Sequence, residues 1–388
     1  MALKVNGGAG THATPSTAET ATAAAVQSIA KPEFGTSGAS ASVIAKLAKV
    51  KGTGLVMPGS QVPQVERIAT GLFEFDFATG GGFPKGRYSI VFGPESSGKT
   101  NICYCAVATA QRGPASCNKV VWVNLEGTFD PEWAAFFGVD IDALILANPA
   151  YGEEAVDVID AFMYAEDVAL IVVDSLAVVT STKELEQSAE KFDVGTSSIL
   201  IKRMCNKIVI AQSVQARKGH FPAVILVNQI RHKIGVMFGD PETMPGGNTM
   251  KFLSSLTVRL YGKNVIEKNI HPDLPAFKDT SAIIKKAKIG IRQVNFDYKM
   301  CVLPHGDLSV GESDSWNAVS GHLKSLNLLR KADKGTGWVL EGIGEFQTLV
   351  PIKDTYQAER EFALHLQKMV IDAYSGQSFL IEAEGAAK

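Results

Sequence analysis

The sequence predicts an α/β fold on a central, mostly parallel sheet, and three observations predict it. Short apolar runs recur through the middle of the chain at Tyr88–Phe92, Val120–Leu125, Ala169–Val173 and Ala223–Val227. They are unbroken rather than alternating, as strands covered on both faces are. Helical stretches separate them, Lys99–Arg112, Pro131–Phe137, Glu153–Ala165 and Thr196–Ala216, and strand–helix–strand alternation gives parallel strands joined by right-handed crossovers. Hydrophobic residues make up 46% of the 388 and charged residues 20%, the balance of a packed core.

The flanks read differently. Residues 1–62 form a low-complexity N-terminal arm, typified by THATPSTAETATAAAVQS. Its first 40 residues have too little apolar area to offset ordering entropy, so a flexible arm is expected. Within it Glu19–Ala30 has helix propensity, which Lys31-Pro32 would end. The core is placed at 63–305, with Thr257–Tyr261 and Phe296–Leu303 extending the sheet. A small C-terminal α/β lobe follows at 306–388, with helices over Ser315–Leu329 and Tyr356–Tyr374 around a strand at Trp338–Leu340.

Composition excludes several classes. The five cysteines show no CxxC pair, so neither a zinc site nor a disulfide framework is expected, and a reducing compartment suits them. No apolar run approaches the roughly 20 residues needed to span a membrane, and the N-terminus lacks the pattern of a secretory signal. The expectation is a cytoplasmic protein. With 38 basic against 40 acidic residues the formal charge is −2, so nucleic-acid binding, if present, must come from a local or assembled surface.

The strongest motif is GPESSGKT, comprising Gly93, Pro94, Glu95, Ser96, Ser97, Gly98, Lys99 and Thr100, followed by Asn101. It fits G-x-x-x-x-G-K-[ST] and lies between a strand and a helix, as a phosphate loop must. Glycines let backbone N–H groups turn inward, and the helix start adds its positive dipole end. Lys99 is the candidate for the β and γ phosphates of ATP, and Thr100 for Mg²⁺. Asp174, closing the run ALIVVD, is the candidate carboxylate on the metal side. Glu126, closing VVWVNLE, opens onto the same sheet edge and could polarise an attacking water.

These motifs, together with VNLEGTFDPEW, IVVDS and above all NQIRHKIGVMFGDPETMPGGNTMKF at Asn228–Phe252, resemble the RecA recombinases of bacteria and phages. The resemblance runs from about Arg67 to Gly306 and implies a P-loop NTPase core. It makes Glu126 the water-activating glutamate, Asp130 the adenine-contacting acid and Trp133 the stacking aromatic. Gln229 takes the γ-phosphate sensor position and opens a DNA loop, so ATP could order that loop. Lys286 and Lys288, in KKAKIG, match lysines that reach the neighbouring subunit's ATP site. The expectation is therefore a homo-oligomeric helical filament with ATP at the subunit interfaces.

The resemblance also implies two DNA-binding loops, 183–195 and 231–247. The second supplies Arg231, Lys233, Ile234, Gly246 and Gly247, with Asn248 just beyond, and Phe238 for packing or stacking. The first supplies Val194 and Gly195. Over Lys183–Arg203 the charges balance, with Lys183, Lys191, Lys202 and Arg203 against Glu184, Glu186, Glu190 and Asp193. Family members usually carry arginines where this chain has Ile199 and Asn206; Lys202, Arg203 and Lys207 stand nearby. AAVQSIAKPEFG weakly resembles the arm that packs on the next subunit, with Phe34 as anchor. The chain ends EAEGAAK, without the acidic tail of many relatives.

The implied function is an ATP-dependent recombinase and DNA-dependent ATPase. It would coat single-stranded DNA, then pair it with homologous double-stranded DNA, with single-strand-binding or mediator proteins as further partners. It would work in a bacterial cytoplasm, or a host's if phage-encoded. Two other classes share the core. A ring-forming helicase lacks the Asn228–Phe252 signature, and a regulatory paralogue would usually have lost Lys99, Glu126 or Gln229.

Overall fold

The structure, a computed structural model, describes residues 39–51, 54–182, 184, 195–232, 242–306, 308–333 and 335–374. The chain divides into two compact units, one of residues 64–339 with 346–388 and one of residues 1–63 with 340–345. In the smaller unit, Ala39–Lys51 is a helix with no buried residue, and Gly59–Gln61 is a single 3₁₀ turn.

The larger unit begins with a short antiparallel pair, β1 (Arg67–Ile68) and β2 (Phe83–Pro84), around the helix Phe73–Thr79. The main sheet then takes β3 (Tyr88–Gly93), β4 (Lys119–Asn124), β5 (Leu144–Ala147), β6 (Val168–Asp174) and β7 (Ala223–Gln229). A small antiparallel pair, β8 (Arg231–His232) and β9 (Glu242–Thr243), stands outside it. The sheet is completed by β10 (Leu256–Val265), β11 (Phe277–Ala287) and β12 (Asn295–Cys301).

The strand order is β12-β11-β10-β3-β7-β6-β4-β5. From β10 to β5 every pairing is parallel, whereas β10–β11 and β11–β12 are antiparallel. The mostly parallel α/β core expected from the apolar runs is the one observed. β3, β4, β6 and β7 are buried along nearly their whole length, with only Lys119 of β4, Asp174 of β6 and Gln229 of β7 partly exposed, all at strand ends. Continuous apolar runs became central strands because both sheet faces are covered.

On one face lies the helix Lys99–Gln111, with nine of its thirteen residues buried. Its Tyr104 ring stacks on Trp122 of β4 with centroids 4.8 Å apart. The other face is covered by Gly152–Phe162, Thr196–Ala216 and Gly247–Leu253. The C-terminal segment carries the helices Trp316–Ser325, Val350–Ala358 and Arg360–Tyr374, and strands β13 (Leu329–Lys331), β14 (Trp338–Leu340) and β15 (Gly344–Phe346). Its His322 packs on Phe77 at 4.3 Å between centroids, and Ser313 and Ser315 donate to the buried Glu74 carboxylate at 3.0 and 3.1 Å. The helix expected over Tyr356–Tyr374 is two helices, because Glu359 adopts an extended backbone.

The five cysteines are free thiols, four of them buried. Among the described residues no helix is long and apolar enough to cross a membrane. The expected helix at Glu19–Ala30 and the anchor Phe34 lie outside the described residues.

Candidate functional site

Parallel strands place their C-terminal ends on one edge, and that edge carries most of the candidate site residues. Gly93 ends β3 and is in register with Gln229 at the end of β7, while Asn124 of β4 is in register with Asp174 of β6. Gly93 has to be glycine: a Cβ there would lie 2.2 Å from the Leu260 carbonyl oxygen and 2.7 Å from Ser97 Oγ. Ser96 at φ 57° and Gly98 at φ 89° then turn the chain into the helix that starts at Lys99. No side chain caps that helix, so its first N–H groups remain donors facing the loop.

Two further features fit a phosphate. Ser97 Oγ is buried without a hydrogen-bond partner. The Lys99 ammonium is buried, and its Nζ donates to the carbonyls of Pro94 at 2.6 Å and Gly93 at 3.3 Å. Burial lowers its pKa, against the pull of Asp174, Glu126 and Glu95. A turn of backbone donors, an orphaned hydroxyl and a buried cation form a donor set for a polyphosphate.

Thr100 Oγ1 donates to Asp174 Oδ2 at 2.9 Å. Burial pushes the Asp174 carboxyl up to about 6, helped by Glu126 and opposed by the Thr100 hydroxyl and Lys99. One hydroxyl and one carboxylate suit Mg²⁺, which takes its remaining ligands from phosphate oxygens and water. Among the described residues no group of three or more His, Cys, Asp or Glu side chains could hold a metal unaided.

Glu126 is brought alongside by its backbone. The N–H groups of Leu125 and Glu126 donate to the Asp174 carbonyl at 2.8 and 3.3 Å. Its Oε1 accepts from Ser175 Oγ and, at 3.3 Å, from Gln229 Nε2. Nothing in the sequence marked Ser175 as a holder of this carboxylate, and Gln229 entered only by resemblance.

Asp130 caps the short helix Pro131–Phe136, its Oδ1 accepting from Trp133 N–H at 3.0 Å. The Trp133 indole N–H donates to Asn101 Oδ1 at 3.4 Å, which fixes the ring beside the phosphate loop. Trp133 and residues 96–101 line one side of a cleft of about 470 Å³. Asn264, Leu274, Pro275, Lys278, Val302 and Leu303 line the other. Sequence reasoning missed all six, because pairing in the β10–β12 edge brings them there from up to about 200 residues beyond the loop, and no local pattern marks such pairing.

Lys286 and Lys288 are not brought to this cleft. Lys286 Nζ donates to the carbonyls of Lys251 and Phe252 at 2.6 and 2.8 Å, and Lys288 Nζ to Phe252 at 2.6 Å, at the C-terminal end of Gly247–Leu253. Lys286 lies eight residues along β11 from Lys278, roughly 26 Å of strand.

Of the loop residues, Val194, Lys233, Ile234 and Phe238 lie outside the described residues. Gly195 precedes the helix Thr196–Ala216, where Lys202 and Arg203 are exposed. Lys207 is drawn onto the neighbouring helix by Asp160 at 2.7 Å and Asp157 at 3.6 Å. Arg231 Nη2 donates to the Ala177 carbonyl at 3.1 Å. Gly246, at φ 95°, sits where a Cβ would lie 2.6 Å from Ile201 Cγ2, and Gly247 and Asn248 are exposed. Asn228 is fully buried; its Oδ1 accepts from Gln229 N–H at 2.9 Å and its Nδ2 donates to the Pro245 carbonyl at 3.0 Å. One side chain thus joins both ends of the second loop.

Three relatives resemble the chain closely. Protein RecA of Aquifex aeolicus (strain VF5) is 40% identical over 221 residues, 56% of this chain and 61% of that protein. Protein RecA of Haemophilus ducreyi (strain 35000HP / ATCC 700724) is 35% identical over 262 residues, 66% of this chain and 68% of that one. The mitochondrial DNA repair protein recA homolog of Dictyostelium discoideum is 35% identical over 247 residues, 63% and 52% of the two. The match thus spans about three fifths of the Aquifex protein's length. The family model for the RecA N-terminal domain matches residues 39–299, which hold the phosphate loop, Glu126, Asp174, Gln229 and the strands that carry them. With well over half of its length so matched, the chain belongs to the RecA family.

Proposed function

We propose that the protein is an ATP-dependent DNA recombinase that assembles on single-stranded DNA and hydrolyses ATP there. The observation that carries the reading is the bond from Gln229 Nε2 to Glu126 Oε1. Gln229 stands where the nucleotide edge ends and the loop 231–247 begins, so a change at either place alters a contact at the other. Family membership supports the reading, as do the relatives named for RecA and for DNA repair.

In this reading Gly93–Thr100 and the helix start hold the phosphates, and Trp133 stacks on the base. Thr100 and Asp174 hold Mg²⁺, which supplies charge neutralisation at the transferring phosphoryl group. Glu126, held through Oε1, keeps Oε2 to accept a proton from water. Gly246, Gly247 and Asn248 offer a backbone that a phosphate chain can approach closely. Lys286 and Lys288 serve a neighbouring subunit, since their own cleft is out of reach. That makes hydrolysis a property of the filament.

The test is ATP hydrolysis by the purified protein with and without single-stranded DNA, beside Lys99→Ala. DNA should raise the rate at least about tenfold, and the variant should lose it. Strand exchange between homologous DNAs then separates a recombinase from a motor. Hydrolysis indifferent to DNA would sink the coupling through Gln229.

A further inference from the structure

The cleft holds a cation that neither the motif nor the family resemblance brought forward. Lys278 lies on β11, where its cross-strand neighbours are the uncharged Asn264 and Met300. Its side chain crosses to the phosphate loop, and Nζ donates to the Ser96 carbonyl at 2.7 Å. The stem passes beneath the loop's second glycine, so that a Cβ on Gly98 would lie 3.1 Å from Lys278 Cδ. Lys278 lines the same cleft as Lys99, Thr100 and Trp133.

No described carboxylate lies within ion-pairing distance of it. The nearest acid in sequence, Asp279, pairs instead with Lys263 at 3.6 Å. Burial lowers the Lys278 pKa, and no acid offsets that. A half-buried ammonium without a counter-charge carries a desolvation cost that an anion would relieve. An ammonium has three donors, and the Ser96 carbonyl accepts one. The others are free for an anion in the cleft, beside a helix start that also favours negative charge.

We propose that Lys278 is a second phosphate-binding cation of the nucleotide site, supplied in cis from the antiparallel edge of the sheet. The inference rests on the reading of the cleft as a nucleotide site. It differs from the role given to Lys286 and Lys288, because Lys278 acts within its own chain and needs no assembly.

The experiment is titration calorimetry on the full-length protein with inorganic pyrophosphate, ADP and adenosine. It compares wild type with Lys278→Met, Lys278→Gln and Lys278→Arg. Charge-assisted contacts are worth a tenfold or greater change in affinity. Pyrophosphate and ADP should therefore bind about tenfold more weakly to the Met and Gln variants and within about threefold of wild type to Arg. Adenosine should bind all four proteins alike. Gln can still donate to the Ser96 carbonyl, so wild-type affinity in Lys278→Gln would reduce the lysine to a loop brace and overturn the proposal. Unchanged pyrophosphate affinity in Lys278→Met would overturn it equally, as would a loss confined to adenosine. If the wild type binds neither pyrophosphate nor ADP, the nucleotide reading itself fails. That outcome is distinct from wild-type binding that the variants share.

Discussion

Asp174 shows how a candidate site residue is held at a cost to stability. Its carboxyl ionises near 6 because burial disfavours the charge, whereas an aspartate in the unfolded chain ionises near 4. Between those values the folded protein keeps a proton that the unfolded chain has lost. Stability therefore falls as pH rises through that window, and the full cost is present above about pH 6. Asp174→Asn, without Mg²⁺ or nucleotide, should melt roughly 2–8 °C above wild type at pH 7.5, and the two should converge below about pH 4. Thermal unfolding followed by circular dichroism decides this; equal melting at both pH values would mean that burial is not what shifts the carboxyl. Asp174, Lys99 and Glu126 were legible in the sequence because each sits in or at the end of a recognisable run. Ser175 and Asn228 were not, since what they do depends on contacts that only the folded chain makes.

At the scale of elements, the central strands were legible and the antiparallel edge was only partly so. β3, β4, β6 and β7 were read from unbroken apolar runs to within one or two residues of their observed ends. β11 was missed altogether. Its eleven residues, FKDTSAIIKKA, include three lysines and an aspartate, and they are buried only intermittently. A strand covered on one side need not carry a continuous apolar signal. That omission hid Lys278, the one residue of the cleft wall that β11 supplies. The second loop gives a test at the same scale. Gly246→Ala adds a Cβ 2.6 Å from Ile201 in a left-handed backbone, φ 95°, which should cost roughly 1–3 kcal/mol. The variant should melt lower and bind single-stranded DNA more weakly, while its affinity for ADP changes less. Fluorescence anisotropy with a labelled oligonucleotide measures the first affinity and calorimetry the second. Equal losses in both would argue that Gly246 serves the fold rather than the loop.

At the scale of the whole molecule, Lys286 and Lys288 carry the proposal that ATP is shared between neighbouring chains. They bond carbonyls of Lys251 and Phe252, away from their own cleft. If they serve a neighbour, two inactive proteins should repair one another. Lys99→Ala supplies the lysines and Lys286→Ala the phosphate loop, so a mixture should hydrolyse ATP several-fold faster than the sum of the two alone. Steady-state hydrolysis across mixing ratios checks this, and strict additivity would remove the trans role.

The bonds made by Asn228 have a wider consequence. They fasten both feet of the segment from Gln229 to Pro245 to one buried side chain. Lengthening a loop between fixed feet costs little, about 0.6 kcal/mol for each doubling. The phosphate-loop edge and the segment between the feet can therefore diverge at different speeds under selection. Insertions and replacements between the feet can accumulate in descendants of this gene while the phosphate loop one strand away stays as it is.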